Sequence, residues 1–64
     1  MLYSVSVRFT VFGDENEVNE FTFDLGKADI LYFRDQKDFF VSGDYIEKVR
    51  KILDEKGNLT YKIY

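Results

Sequence analysis

The first segment of the chain alternates between apolar and polar residues. From Leu2 to Phe12 every second residue is apolar, and most of the residues between are polar. Period two predicts a β-strand with one buried face, which β-branched and aromatic side chains suit. After a polar turn at residues 13–17, the segment Val18–Leu25 alternates again, with Phe21 and Phe23 on one face. The sequence therefore predicts a β-hairpin.

This predicted hairpin has a register in which every inward pair is apolar. With Phe12 opposite Val18 on the outer face, the inward pairs are Phe9 with Phe21, Val7 with Phe23, and Val5 with Leu25. A slip by one residue would turn the polar set inward, so the pattern selects this pairing.

A second hairpin is predicted from two apolar runs on either side of a charged turn at residues 34–38. The runs are Ile30–Phe33 and Phe39–Val41. An odd-length loop pairs Phe33 with Phe39 and leaves Tyr32 and Phe40 on the outer face, whereas an even loop pairs Phe33 with Phe40. No Gly marks the turn type. We take the odd loop as the prediction.

The next segment has the pattern of a helix. Asp44 and Glu47 have the spacing of a capping box, and Gly57 suits the left-handed position that ends a helix. The helix is predicted from Tyr45 to Lys56. Its apolar stripe consists of Tyr45, Ile46, Val49, Ile52 and Leu53. After it, Leu59–Tyr64 alternates and predicts a fifth strand.

The predicted order β-β-β-β-α-β makes residues 1–64 one compact α+β domain. Its single, mainly antiparallel, five-stranded sheet has one helix packed on one face. The other face of the sheet stays open, and we expect binding there. The residues predicted to be most buried are Val7, Phe9, Phe21, Phe23, Val49, Leu53 and Tyr61.

The composition disfavours catalysis. The chain of 64 residues contains no His and no Cys, so it lacks the usual general base, the thiol nucleophile and the commonest metal ligands. The serines have no His to activate them. Asp14–Glu17 offers carboxylate oxygens, but Asn19 stands where an EF-hand loop needs Gly. We expect no enzyme activity, no cofactor and no metal.

The chain also shows no signal for export or for membrane insertion. Its first residues lack a basic region followed by an apolar run, and no apolar run approaches the length of a membrane span. The sequence therefore predicts a cytoplasmic protein without disulfides.

The net charge of −3 is unevenly distributed. Five acidic residues against Arg8 alone make residues 1–26 acidic, whereas the remaining residues are nearly balanced. These acidic residues predict an anionic strip that docks on a protein with a basic surface, beside Phe12 as an aromatic anchor. They are Asp14, Glu15, Glu17, Glu20 and Asp24. The alternative is a solvated surface that only aids solubility. Nucleic-acid binding is disfavoured because no basic face is evident.

Aromatic residues also occur at positions opposite to the predicted core. Tyr32, Phe40 and Tyr64 fall on the outer parity of their predicted strands. A contiguous apolar patch usually marks an interface, and an open sheet edge or face favours pairing. The sequence predicts a homodimer with these three residues in its interface.

No motif identifies a family. In composition the chain is similar to small proteins that phages and other mobile elements encode to inhibit host enzymes or defence systems. That similarity implies an inhibitor that occludes another protein through the acidic hairpin and the open sheet face. The alternatives are a structural or assembly homo-oligomer and, more remotely, a small-ligand or nucleic-acid binder.

Overall fold

The structure is a computed structural model, and it describes residues 5–64. Its elements are β1 (Ser6–Phe12), α1 (Glu15–Lys27), β2 (Tyr32–Asp35), β3 (Asp38–Ser42), α2 (Ile46–Lys56) and β4 (Thr60–Ile63). A 3₁₀ turn at Gly43–Tyr45 leads into α2. The α+β class and the antiparallel sheet are confirmed. Within residues 5–64, however, four strands and two α-helices replace the predicted five strands and one helix. Positions 2–4 of the predicted first strand lie outside the described residues.

The strands form one sheet in the order β2-β3-β1-β4, and each neighbouring pair is antiparallel. Helix α1 joins β1 to β2, and α2 joins β3 to β4; in each case another strand lies between the two that are joined. This is the split β-α-β arrangement repeated twice, as in ferredoxin-like folds. Both helices contribute to the same buried cluster, so they cover one face of the sheet.

Residues 18–25 are helical, so the predicted hairpin of β1 with this segment is wrong. Val18, Phe21 and Leu25 follow the helical spacing i, i+3, i+7, and all three are fully buried. Phe23, which completes the apparent alternation, is 71% exposed. Strand β1 pairs instead with β3 and β4. The four predicted pairs of Phe12, Phe9, Val7 and Val5 with this segment therefore do not form as strand contacts.

Three phenylalanines from three elements form the centre of the core. Phe9 on β1 and Phe39 on β3 stack with ring centroids 5.3 Å apart. Phe21 on α1 meets both rings edge-on, at 6.3 Å and 5.4 Å. Of the residues predicted to be most buried, these are confirmed: Phe9, Phe21, Val49 and Leu53. Val7 and Tyr61 are half-buried, and Phe23 is exposed.

The connection between β2 and β3 is an even, two-residue turn, so the predicted odd register is wrong. Phe33 lies opposite Phe40, and Asp35 lies opposite Asp38. Gln36 in the turn adopts φ +56°, a left-handed conformation that closes a tight hairpin without Gly. As a result Tyr32 points to the helix-covered face, where its ring is 5.9 Å from that of Phe39.

The ends of α2 were partly predictable. Gly57 adopts φ +73°, and its N–H donates to the carbonyl of Leu53 at 3.3 Å, which confirms the predicted helix end. At the start, Ser42 Oγ accepts from the N–H of Asp44 at 3.3 Å. Ser42 therefore caps the 3₁₀ turn, where the sequence predicted Asp44 as the cap of the α-helix. The predicted final strand is β4.

Candidate protein-binding surface on the open face of the sheet

The face of the sheet away from the helices carries a line of large side chains across all four strands. Strand pairing places Phe33 of β2 beside Phe40 of β3, and Phe40 beside Arg8 of β1. The N–H of Tyr64, directly after β4, donates to the carbonyl of Arg8 at 3.0 Å, so Tyr64 continues the line. We call Phe33, Phe40, Arg8 and Tyr64 the aromatic row. It contains residues from both ends of the chain, which only the folded sheet brings together.

The members of the aromatic row contact one another in pairs. The rings of Phe33 and Phe40 have centroids 6.0 Å apart. The guanidinium carbon of Arg8 lies 4.2 Å from the ring centroid of Tyr64, and Lys62 Nζ lies 5.2 Å from the same centroid. Both distances are within the range of cation–π attraction. Even so, 67% of Phe33 and 55% of Tyr64 remain exposed.

A second line of side chains, which we call the charged row, runs beside the aromatic row. It comprises Asp35, Asp38, Thr10 and Lys62, in the order of their strands. Thr10 Oγ1 donates to Asp38 Oδ1 at 2.6 Å and lies 3.3 Å from Tyr64 Oη. Across the two rows, the acidic side chains are on β2 and β3, and the basic ones are on β1 and β4. The open face therefore has an acidic half, on β2 and β3, and a basic half, on β1 and β4.

The strand registers show on which face of the sheet each predicted aromatic residue lies. Phe12, Phe40 and Tyr64 lie on the open face, and Phe12 is 46% exposed at the far end of β1. Tyr32 lies on the other face, so its predicted place in this surface is wrong. Phe33, which the sequence reading placed in the core, takes its position. The even turn causes this exchange, because a shift of register by one residue reverses which side chains face each side.

The predicted acidic strip is divided among several contacts. Glu15 and Glu17 lie in the first turn of α1, where carboxylates are favourable near the helix N-terminus. Glu17 accepts a hydrogen bond from Asn58. Lys56 Nζ of α2 lies 3.3 Å from Glu20 Oε1 and 2.9 Å from Asp24 Oδ2. A cation distant in sequence thus neutralises part of the strip.

The acidic residues and the aromatic row are also separated in space. Helix α1 covers the face opposite to the aromatic row, so Glu20 and Asp24 cannot surround Phe40 or Phe33 as a charged rim. Asp14 and Glu15 are the exposed acidic residues nearest in sequence to Phe12. Because residues 15–27 form helix α1, the acidic residues do not lie on a hairpin strand beside Phe12, and their contact with a basic partner stays a prediction.

Two open hollows lie away from the open face. One of about 320 Å³ is bordered by α1 and the β2–β3 turn, including Glu15, Arg34 and Lys37. A broader one of about 420 Å³ lies between the two helices, beside Asp24 and Lys56. In the part of the chain from residue 5 onward, no three acidic side chains are grouped so as to hold a metal ion. No helix in that part is long and apolar enough to cross a membrane.

Two side chains on the helix-covered side have raised pKa values. Tyr61 Oη donates to Asp54 Oδ1 at 2.8 Å, and this bond together with burial raises the pKa of Tyr61. The carboxylate of Asp24, and then that of Glu20, raises the pKa of Lys56 against the opposing effect of burial. In both cases the folded protein favours the protonated form.

We expect the free energy of unfolding to fall in alkaline solution. A group whose pKa is raised on folding contributes fully below its unfolded pKa, about 10 for Tyr and Lys, and loses that contribution as the pH rises through its folded pKa. Urea unfolding from pH 7 to 11 measures this loss. The variant Tyr61→Phe lacks the phenol, so its stability should decline less between pH 9 and 11. An unchanged decline would show that the Tyr61–Asp54 bond is not linked to folding.

Comparisons with known proteins give this chain no family. No protein-family model matches it, and no curated protein or solved structure matches it at a significant level.

Proposed function

We propose that this protein is a non-enzymatic protein-binding module and that the open face of its sheet is the binding surface. The observation that carries the proposal is the aromatic row, in which Phe33 and Tyr64 remain more than half exposed. Tyr, Phe and Arg are enriched in protein interfaces, whereas large exposed apolar patches are rare on surfaces without partners. Strand pairing fixes the backbone beneath these side chains, which lowers the entropy lost on binding.

The charges on the open face favour a protein partner over a nucleic acid. The two rows carry Arg8 and Lys62 but also Asp35 and Asp38, so this face has no net positive charge. Single-stranded nucleic acids bind to aromatic platforms that lie in a positively charged groove. A protein surface with apolar side chains, flanked by charges of both signs, is the better match.

A module of this kind acts by covering part of another protein. That mode of action fits an inhibitor, including the phage- or mobile-element-type inhibitor that the composition resembles. The exposed carboxylates of Asp14 and Glu15 offer a separate contact for a basic partner. This contact is secondary in the proposal because Lys56 and Asn58 already engage the other acidic residues of α1.

Two phenylalanines of similar exposure provide the test. Phe33 is 67% exposed on the open face, and Phe23 is 71% exposed on α1. We expect Phe33→Ser to reduce the capture of bound proteins at least tenfold, because buried aromatic anchors dominate interface energies. Phe23→Ser should retain the same proteins. Quantitative mass spectrometry after affinity capture measures both. Equal recovery with the two variants would contradict the proposal.

A further inference from the structure

The division of charge on the open face points to a specific occupant. Phe33, Phe40 and Asp35 lie on the β2–β3 half, and Arg8, Lys62 and Tyr64 lie on the β1–β4 half. Each half thus carries groups that attract those of the other: aromatic rings against a guanidinium, and a carboxylate against an ammonium. We infer that a second copy of this chain packs on the open face in a two-fold dimer. The inference rests on the proposed function, since it names the partner at that same surface.

The strand order fixes which two-fold axis suits this pairing. One copy is related to the other by a rotation of 180° about an axis that runs parallel to the strands, between β3 and β1. This rotation places each half of one sheet against the other half of the partner's sheet, and each row then faces the same row of the partner. Phe33 then faces the partner's Tyr64, and Phe40 faces the partner's Arg8. Asp35 faces the partner's Lys62. The resulting interface is self-complementary, as two-fold symmetry requires.

The other face-to-face arrangement is disfavoured by like charges. A two-fold axis perpendicular to the strands would place each strand against the same strand of the partner. The basic β1–β4 halves of the two copies would then lie against each other. Like charges facing one another across an interface oppose association. The axis parallel to the strands avoids this repulsion.

Geometry and area are compatible with a modest affinity. Two sheets pack face to face at a spacing of about 10 Å with nearly aligned strands. Phe12, Phe33 and Tyr64 are each about half exposed or more, so these rings offer on the order of 300 Å², taking about 200 Å² per aromatic side chain. Stable interfaces bury about 800 Å² per partner. The polar and charged side chains of the two rows add to this area. Small interfaces are typical of weak or transient complexes, so we expect a dissociation constant in the micromolar range.

A charge exchange tests this arrangement directly. Asp35 and Lys62 are both exposed, and Asp35 lies opposite Asp38 on its own sheet, so Asp35→Lys introduces no repulsion with that neighbour. We expect Asp35→Lys or Lys62→Asp alone to weaken self-association at least tenfold, because each opposes like charges across the interface. An equimolar mixture of the two variants restores opposite charges at both contacts. The mixture should therefore form a heterodimer.

Sedimentation velocity at about 100 µM, well above a micromolar dissociation constant, measures these states. Thermal melts show whether each variant is folded, and Glu47→Lys on α2 is the control that should leave the dimer intact. A monomeric wild-type chain overturns the inference, as does a dimer that survives both variants or a mixture that stays monomeric. Those outcomes leave the separate test with Phe33→Ser and Phe23→Ser unaffected. If instead Phe33→Ser changes the binding of no protein, the proposed function itself fails.

Discussion

Phe21→Ala is expected to remove most of the protein's free energy of unfolding at 25 °C. Phe21 is fully buried and packs edge-on against both Phe9 and Phe39, so its removal leaves a cavity at the centre of the core. Truncating a buried phenylalanine costs about 3–5 kcal/mol. A small domain has a total stability near the lower end of the usual 5–15 kcal/mol. Urea unfolding monitored by circular dichroism measures the loss.

Phe23→Ala is the matched control on the same helix. Phe23 is 71% exposed, so its removal should change the free energy of unfolding by no more than about 0.5 kcal/mol. In a strand, residues 21 and 23 would share one face and the two variants would behave alike. Similar losses of stability from both would mean that the segment is not the helix α1.

Phe23→Pro is expected to destabilise the protein by about 3 kcal/mol or more, although the side chain at this position packs against little. Residue 23 lies near the middle of α1, which spans Glu15–Lys27. Proline there removes the N–H that donates to the carbonyl four residues earlier, and its ring collides with the preceding turn. The cost arises from the backbone alone. Helix α1 in turn carries Val18, Phe21 and Leu25 into the core, so distortion of the helix disturbs these contacts as well.

The comparison of Phe23→Pro with Phe23→Ala separates the backbone effect from the side-chain effect. Both remove the same exposed ring, and only proline interrupts the helix. Equal stability of the two variants in urea would show that the helical hydrogen bonds at this position contribute nothing.

The strand predicted for residues 18–25 is wrong because their apolar positions fit both a helical period and the two-residue period of a strand. Val18, Phe21 and Leu25 fit a helix, but Phe21, Phe23 and Leu25 fit a strand equally well. Phe23 distinguishes the two patterns, because it would be buried in the strand and is exposed in the helix. Large aromatic residues are seldom this exposed, so the pattern favoured the strand. The available signal was Asp14 followed by acidic residues, which is typical of a helix N-terminus.

Strand alternation predicted part of the candidate binding surface, but the register of the β2–β3 hairpin was not predictable. Alternation assigned Phe12, Phe40 and Tyr64 to the open face correctly. The turn between β2 and β3 lacks Gly, so the even register and its left-handed Gln36 had no sequence signal. Phe33 and Tyr32 therefore exchanged faces between prediction and structure.

Features that depend on near neighbours were predictable from the amino-acid sequence: the extended segments β1, β3 and β4, the end of α2 at Gly57, and the buried stripe with Val49 and Leu53. Local spacing and backbone preference are enough for these. Which residues meet across the sheet depends on the complete fold, because β1 pairs with β3 and β4 from distant parts of the chain. That pairing brings Arg8 to Tyr64 and Phe33 to Phe40, and helix packing brings Lys56 to Asp24. Such contacts are set by the burial of the whole core, in which each helix and strand is held by partners remote from it in sequence.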